Sequence, residues 1–295
     1  MRLRLGPRTL ELDPARPLVM GVLNASPDSF SDGALVGPLE AQVERGLALV
    51  AEGADLLDVG GESARTDRPS PEADEEAARV VPLVERLAAA GAVVSIETRR
   101  PGVARAAIAA GAGMVNDVSG LRDPQLAAAC ADTGAALVVM HTRAEPKQKA
   151  FPEYEDVMAD VLAFLRERIA VARQAGVGED QIVVDPGPDF SKTPAQTVEV
   201  LRRLGELEEL GRPILLAVSR KDFVGALTGR PPAERLAGTL AAVGAGLDAG
   251  AHIVRVHDVA ATREYLAIRA ALRGELPVPD ALRLDAALRH HPGPA

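Results

Sequence analysis

Eight short apolar runs punctuate the chain, at residues 17–24 (PLVMGVLN), 55–61 (DLLDVGG), 93–98 (VVSIET), 114–120 (MVNDVSG), 135–141 (AALVVMH), 181–187 (QIVVDPG), 213–219 (PILLAVS) and 252–258 (HIVRVHD). They are rich in Val, Ile and Leu and do not alternate with polar residues, which is the pattern of strands buried on both faces. Between them lie helical patterns at 39–52, 72–90, 102–111, 124–133, 155–175, 194–208, 232–249 and 260–273. Pro71, followed by the acids of "EADEE", marks a helix start. Strand then helix, eight times over, predicts a (β/α)₈ TIM barrel. The opening "LRLGPRTLELD", within residues 1–16, reads as an N-terminal β-hairpin closing the bottom of the barrel. Residues 275–295, with four prolines from Pro277 onward, read as a short helix and a frayed tail. No repeat or long linker divides the chain, so residues 1–295 form a single domain.

Composition narrows this picture. Of the 295 residues 47% are apolar but only 2% aromatic, so Ala, Leu and Val must build the core. A net charge of −9 argues against a nucleic-acid-binding surface, which needs a basic face. It leaves room for a small anionic substrate held by a few local cations. Cys130, the single cysteine, stands in apolar "LAAACAD" and reads as a packing residue, in keeping with a reducing compartment. The N-terminus lacks the apolar stretch of a signal peptide, and no run approaches a membrane span. The expectation is a soluble, cytoplasmic protein with no membrane partner.

In such a barrel the reactive face is the C-terminal end of the strands. Here those ends carry Asn24 before "ASPDSFSDG", Asp58, Glu97, Asn116 with Asp117, His141, Asp185, "SRK" at 219–221 and "RVHD" at 255–258. Taken singly, an Asp or Asn at a strand end is usually a turn or cap former. Taken together, they bring polar groups from nearly every strand to one mouth, which packing does not require. The charges also sort around the ring. Glu97, Asn116 and Asp185 offer acceptors on one side, and Lys221, Arg220, Arg255, His257 and Arg65 offer donors on the other. The first half suits a heterocycle rich in N–H groups, and a carboxylate such as Asp185 can accept two parallel N–H bonds from a 2-amino-4-oxopyrimidine edge. The second half suits a phosphate, which barrels commonly bind after their last two strands.

The motifs "GVLNASPDSFSDG", "DVGGESAR", "NDVSG", "DPG…F.K", "SRKDFVG" and "RVHDV" stand in the order and approximate spacing of the dihydropteroate synthase family, which the chain resembles from about residue 18 to 260. The resemblance implies condensation of p-aminobenzoate with 6-hydroxymethyl-7,8-dihydropterin diphosphate, release of pyrophosphate, and assistance by Mg²⁺. It implies that Asn24 helps to hold Mg²⁺ and diphosphate, and that Arg65, Arg255 and His257 bind the diphosphate. It further implies that Asp185 and Asn116, joined by Glu97 and with Asp58 nearby, read the pterin. Lys221 would then lie beside the ring, and Ser219, next to Arg220, near the aminobenzoate carboxylate. The loops at 25–36 and 62–71 would close over the substrates, and the later helices would form a homodimer.

The family pattern is altered in places. Glu97 stands where the family carries aspartate, which extends the carboxylate by one methylene. Asp189 and Ser191 replace glycines, Ala64, Thr66 and Asp67 replace a Thr-Arg-Pro-Gly context around Arg65, and Ala34 replaces a glycine. A misplacement of about one ångström around a rigid ring costs on the order of a hundredfold. Three readings stay open. The first is a working synthase, the second a paralogue that binds pterin or diphosphate without condensing them, and the third a methyltetrahydrofolate–corrinoid methyltransferase. The third has no use for the retained "SRK" and "RVHD".

Overall fold

The computed structural model describes residues 1–13, 15–25, 38–62, 70–285 and 288. All eight apolar runs become strands of one parallel sheet: β3 (Leu18–Asn24), β4 (Leu56–Gly60), β5 (Val94–Glu97), β6 (Met114–Asp117), β7 (Ala136–Met140), β8 (Ile182–Asp185), β9 (Leu215–Leu216) and β10 (Ile253–Val256). Their order is β8-β7-β6-β5-β4-β3-β10-β9. The ring closes between β8 and β9 through a single parallel bridge, Val184 to Ile214. This is the expected (β/α)₈ barrel. The expected hairpin is also present, with β1 (Arg2–Leu5) antiparallel to β2 (Arg8–Glu11).

Two apolar layers explain the sequence pattern. Leu3, Leu5 and Leu12 pack with Met20, Leu56, Met114, Val138, Val183 and Ile253 in one cluster, so the hairpin plugs the lower end of the barrel. The outward faces of the same strands pack on the helices in a second, larger cluster. With both faces covered, alternation disappears from the strands. The helices are α1 (Pro38–Ala51), α2 (Ala73–Ala89), α3 (Pro101–Ala109), α4 (Gln125–Thr133), α5 (Val157–Gln174), α6 (Pro194–Arg202), α7 (Asp222–Thr228), α8 (Leu236–Asp248) and α9 (Val259–Leu272). Local chemistry sets their starts. The Asp156 carboxylate accepts from the Met158 and Ala159 amides ahead of α5. A Thr193–Gln196 capping box with Pro194 at the first turn opens α6.

Three sequence expectations need correction. The helix expected at 194–208 is α-helical only to Arg202 and continues as a 3₁₀ segment at Leu204–Leu210. The helix expected at 232–249 begins at Leu236, behind Pro231 and Pro232, and is preceded by α7, which was not anticipated. Gly225 inside α7 and Gly229 at its end hide its pattern. No helix forms between Arg273 and Asp285, because Pro277 and Pro279 interrupt the segment and Leu276, Val278, Leu282 and Leu284 stay exposed with no core to join. Cys130 is buried, and burial pushes its thiol up to about 12, as suits a packing residue. No described helix is long and apolar enough to cross a membrane.

Candidate active site

The barrel strands deliver their terminal side chains to one buried cluster. Asp58, at the centre of β4, is fully buried; its Oδ2 accepts from Asn116 Nδ2 at 2.9 Å and from Arg255 Nε at 2.6 Å. Arg255 Nη2 donates to Glu97 Oε2. A single guanidinium from β10 therefore joins β4 and β5. Asn24 adjoins the same cluster: a Cβ built on Gly60 would lie 3.7 Å from Asn24 Oδ1 and 3.8 Å from Glu97 Oε1.

The expected division of the mouth into an acceptor half and a cationic half does not form cleanly. Arg255 crosses it. A guanidinium so largely enclosed needs carboxylates, and Asp58 and Glu97 pair with it directly. Burial works against the charge on Arg255, but the two acids outweigh it and hold the arginine firmly protonated. Burial raises the Glu97 carboxyl, and Arg255 opposes that rise. The Glu97 carboxylate is engaged in this pairing. Two acceptor oxygens, Asp58 Oδ1 and Asn116 Oδ1, are buried without a partner among the described residues. Orphaned acceptors side by side suit a ligand that brings N–H groups.

Asp185 ends β8 and is buried, with one oxygen accepting from the Gly187 amide at 2.7 Å. Burial pushes its carboxyl up to about 6, against the pull of Lys221, Lys192 and Arg255. Lys221 precedes α7 and sets its ammonium 4.4 Å from the centre of the Phe190 ring, a cation–π contact. Burial lowers the Lys221 pKa, and Asp189 and Asp185 hold it back. Ser219 Oγ lies 2.9 Å from His257 Nδ1 and accepts the His257 backbone N–H at 3.2 Å. Burial and Arg255 push His257 down to about 4, so its ring is neutral at pH 7. With the serine donating to Nδ1, the ring offers Nε2–H as an uncharged donor.

Other residues resolve differently. Arg220 is committed to a bidentate pair with Asp258, at 3.0 and 2.6 Å. Asp117 is a turn former, its carboxylate taking the Ser119 amide and hydroxyl and the Leu121 amide. His141 is buried against Lys192. Arg65 lies outside the described residues, as do Ala34, Ala64, Thr66, Asp67 and most of the two loops at 25–36 and 62–71. Asp189 and Ser191, the two non-glycines in a glycine pattern, sit at φ of 65° and 53°. Side-chain bonds that glycine lacks offset that strain. Asp189 accepts from Thr197 Oγ1 at 3.1 Å and from the Phe223 amide at 3.2 Å. Ser191 Oγ accepts from the amides of Arg143 and Ala144 at 3.0 and 2.7 Å.

Sequence reasoning missed Lys192, whose ammonium is buried behind Asp185. The lysine of "DFSK" was in view, but its burial follows from left-handed backbone at Asp189 and Ser191 and from His141, none of which the four letters state. Among the described residues no group of three or more His, Cys, Asp or Glu side chains is placed to hold a metal. The amide oxygen of Asn24 fits Mg²⁺ only as one ligand of an ion that also takes phosphate oxygens and water, which is how Mg²⁺ usually binds.

The pattern of the pterin binding enzyme family matches residues 20–257. The dihydropteroate synthase of Escherichia coli (strain K12) is 39% identical over 259 residues, covering 87% of this chain and 92% of its own. A dihydropteroate synthase of Xanthomonas albilineans, solved with 4-aminobenzoic acid, superposes with a TM-score of 0.87 at 46% identity, covering 94% of this chain and 99% of its own. The same enzyme solved with 7,8-dihydropteroate gives a TM-score of 0.84 at 45% identity, covering 94% of this chain and all of its own. With its barrel, its motifs and its relatives in agreement, the chain belongs to the dihydropteroate synthase family of pterin-binding enzymes.

Proposed function

We propose that this protein is a dihydropteroate synthase, joining 6-hydroxymethyl-7,8-dihydropterin diphosphate to p-aminobenzoate and releasing pyrophosphate. One observation supports this most directly. The orphaned acceptors of Asp58 and Asn116 and the Asp185 carboxylate share one buried electrostatic field with Lys221 and Arg255.

In this reading Asp185 and Asn116 grip the pterin edge, with Glu97 and Asp58 bracing the arginine beside it. Lys221, resting on Phe190, lies along the ring face. The C–O bond of the pterin CH₂ breaks with its electron pair leaving on diphosphate, and the neutral aromatic amine forms the new C–N bond. The amine proton then passes to solvent or to the departing anion. Arg255, neutral His257 as an Nε2–H donor, and Arg65 neutralise the leaving group. Fixed donors of this kind are worth roughly 3 kcal/mol each in a water-excluded site. Ser219 serves two needs, steadying His257 and lying near the aminobenzoate carboxylate. Arg220, held by Asp258, acts through the backbone that carries Ser219 and Lys221. Asn24 would hold Mg²⁺, which supplies further charge neutralisation on the diphosphate when bound.

Purified protein given the pterin diphosphate, p-aminobenzoate and Mg²⁺ is expected to release pyrophosphate at enzymatic rates, and chelation by EDTA is expected to abolish release until Mg²⁺ is restored. Absence of release with pterin binding intact by calorimetry would instead identify a binding paralogue.

A homodimer in the cytoplasm completes the proposal. Leu227, Leu236, Ile268 and Leu272 are exposed on α7, α8 and α9, where the three late helices offer apolar area that a second copy would cover. Sedimentation equilibrium should report twice the chain mass, and a monomer at micromolar concentration would refute the assembly.

A further inference from the structure

Lys192 is only 1% exposed, yet its ammonium has three acceptors: His141 Nδ1 at 2.7 Å, Gly187 O at 3.0 Å and Phe190 O at 3.1 Å. Three N–H bonds meet three acceptors, so the ammonium is saturated and unavailable as a nucleophile. His141 is oriented from behind. Its Nε2 lies 3.0 Å from Asp160 Oδ1, and a carboxylate can only accept, so Nε2 carries the proton and Nδ1 presents its lone pair to Lys192. Arg143 holds Asp160 in turn, with Nε at 2.9 Å and Nη2 on the other oxygen. Burial pushes His141 down to about 3 and Lys192 down to about 7, which leaves the shared proton on the lysine. The charged groups facing Lys192 are Asp185, Lys221, Asp160 and Asp189.

The two carbonyls are what give this lysine its reach. The Gly187 peptide is turned at φ 64°, and a Cβ there would fall 2.1 Å from the His141 carbonyl oxygen, so only glycine fits. The Gly187 N–H goes to Asp185 while its C=O goes to Lys192. The Phe190 C=O goes to Lys192 while its ring supports Lys221. We propose that Lys192, oriented by His141 and Asp160, is a positioning residue for the heterocycle subsite: it pins the 187–190 turn and so fixes both the Asp185 carboxylate and the Phe190 platform. The inference rests on the synthase reading of this mouth.

The test is steady-state kinetics of Lys192→Met and Asp160→Ala with both substrates across the acidic and neutral range. For Lys192→Met the KM for pterin diphosphate should rise about tenfold or more while that for p-aminobenzoate stays within about twofold, as for lost support behind a ligand-binding group. The acid limb should also move upward by about one pH unit, because Asp185 loses a neighbouring cation. A uniform loss of kcat and both KM values with no limb shift, or no change at all, overturns the proposal. If Lys192→Met does not fold, Asp160→Ala decides: a rise confined to the pterin diphosphate KM supports the relay, and unchanged kinetics overturn it. Wild-type protein that releases no pyrophosphate would defeat the synthase reading instead. Calorimetric titration with 6-hydroxymethylpterin then decides this one, weaker binding by the variant supporting it and equal binding overturning it.

Discussion

Arg255→Ala is expected to slow pyrophosphate release by about a thousandfold and to lower the melting temperature at the same time. Under the proposed mechanism the first effect follows from removing a donor to the leaving group, a loss of roughly 10² to 10³ in rate for one such group. The second follows from the pairing at 2.6 Å with Asp58 and the further bond to Glu97. Removing the arginine strands the buried Asp58 carboxylate and the partly buried Glu97, and breaking a buried pair typically costs about 3–5 kcal/mol. The two effects are separable. Arg255→Met combined with Glu97→Gln should recover much of the melting temperature, since one stranded charge is gone, without recovering activity. Glu97→Asp gives the complementary contrast. Its shorter side chain withdraws from Nη2 and leaves the guanidinium freer for diphosphate, so a higher kcat/KM for the pterin diphosphate is expected. Full activity of Arg255→Ala would refute the role given to this residue.

Asp185→Asn should weaken pterin binding by about a hundredfold, the scale of two charge-assisted hydrogen bonds reduced to neutral ones. It should also remove the acid limb of the pH profile. The sign follows from burial: the carboxyl is pushed up to about 6, so the ionised acceptor exists only above that pH, and pterin affinity falls as the medium is acidified through it. Because a diphosphate ester titrates in a similar range, the comparison is cleanest with 6-hydroxymethylpterin, which lacks it. The same burial makes Asp185 a cost to the fold. A carboxylate whose folded pKa is raised favours the folded state at low pH and opposes it once pH exceeds the folded value. From the ordinary aspartate value of 3.8 to about 6, the penalty is on the order of 3 kcal/mol above pH 6. Asp185→Asn is therefore expected to melt higher than wild type at pH 8 while binding pterin worse. A variant that bound normally, or that melted lower, would contradict this account.

The eight strands were legible because burial on both faces leaves continuous apolar runs, and the polar strand ends were legible because packing alone does not ask for them. Partnerships across the barrel were not. Nothing in "RVHD" announces that Arg255 will reach Asp58, 197 positions away in the chain. Nor does "DFSK" say that its lysine will be buried rather than solvated, since that depends on His141 from another strand presenting a lone pair. The left-handed backbone at Asp189 and Ser191 is visible only as a departure from a glycine pattern, and its compensation lies in distant amides. Short elements were lost for a different reason: α7 spans seven residues with a glycine inside it, too few positions for a helical period to show.

Between β8 and β9 the wall is joined by one bridge, while the other neighbouring strands share from two to five registered pairs. Asp185 stands on one bank of that gap and Lys221 follows the other. A flat ring gripped by both, as proposed, would span the joint and act as a stave in the cask that holds it.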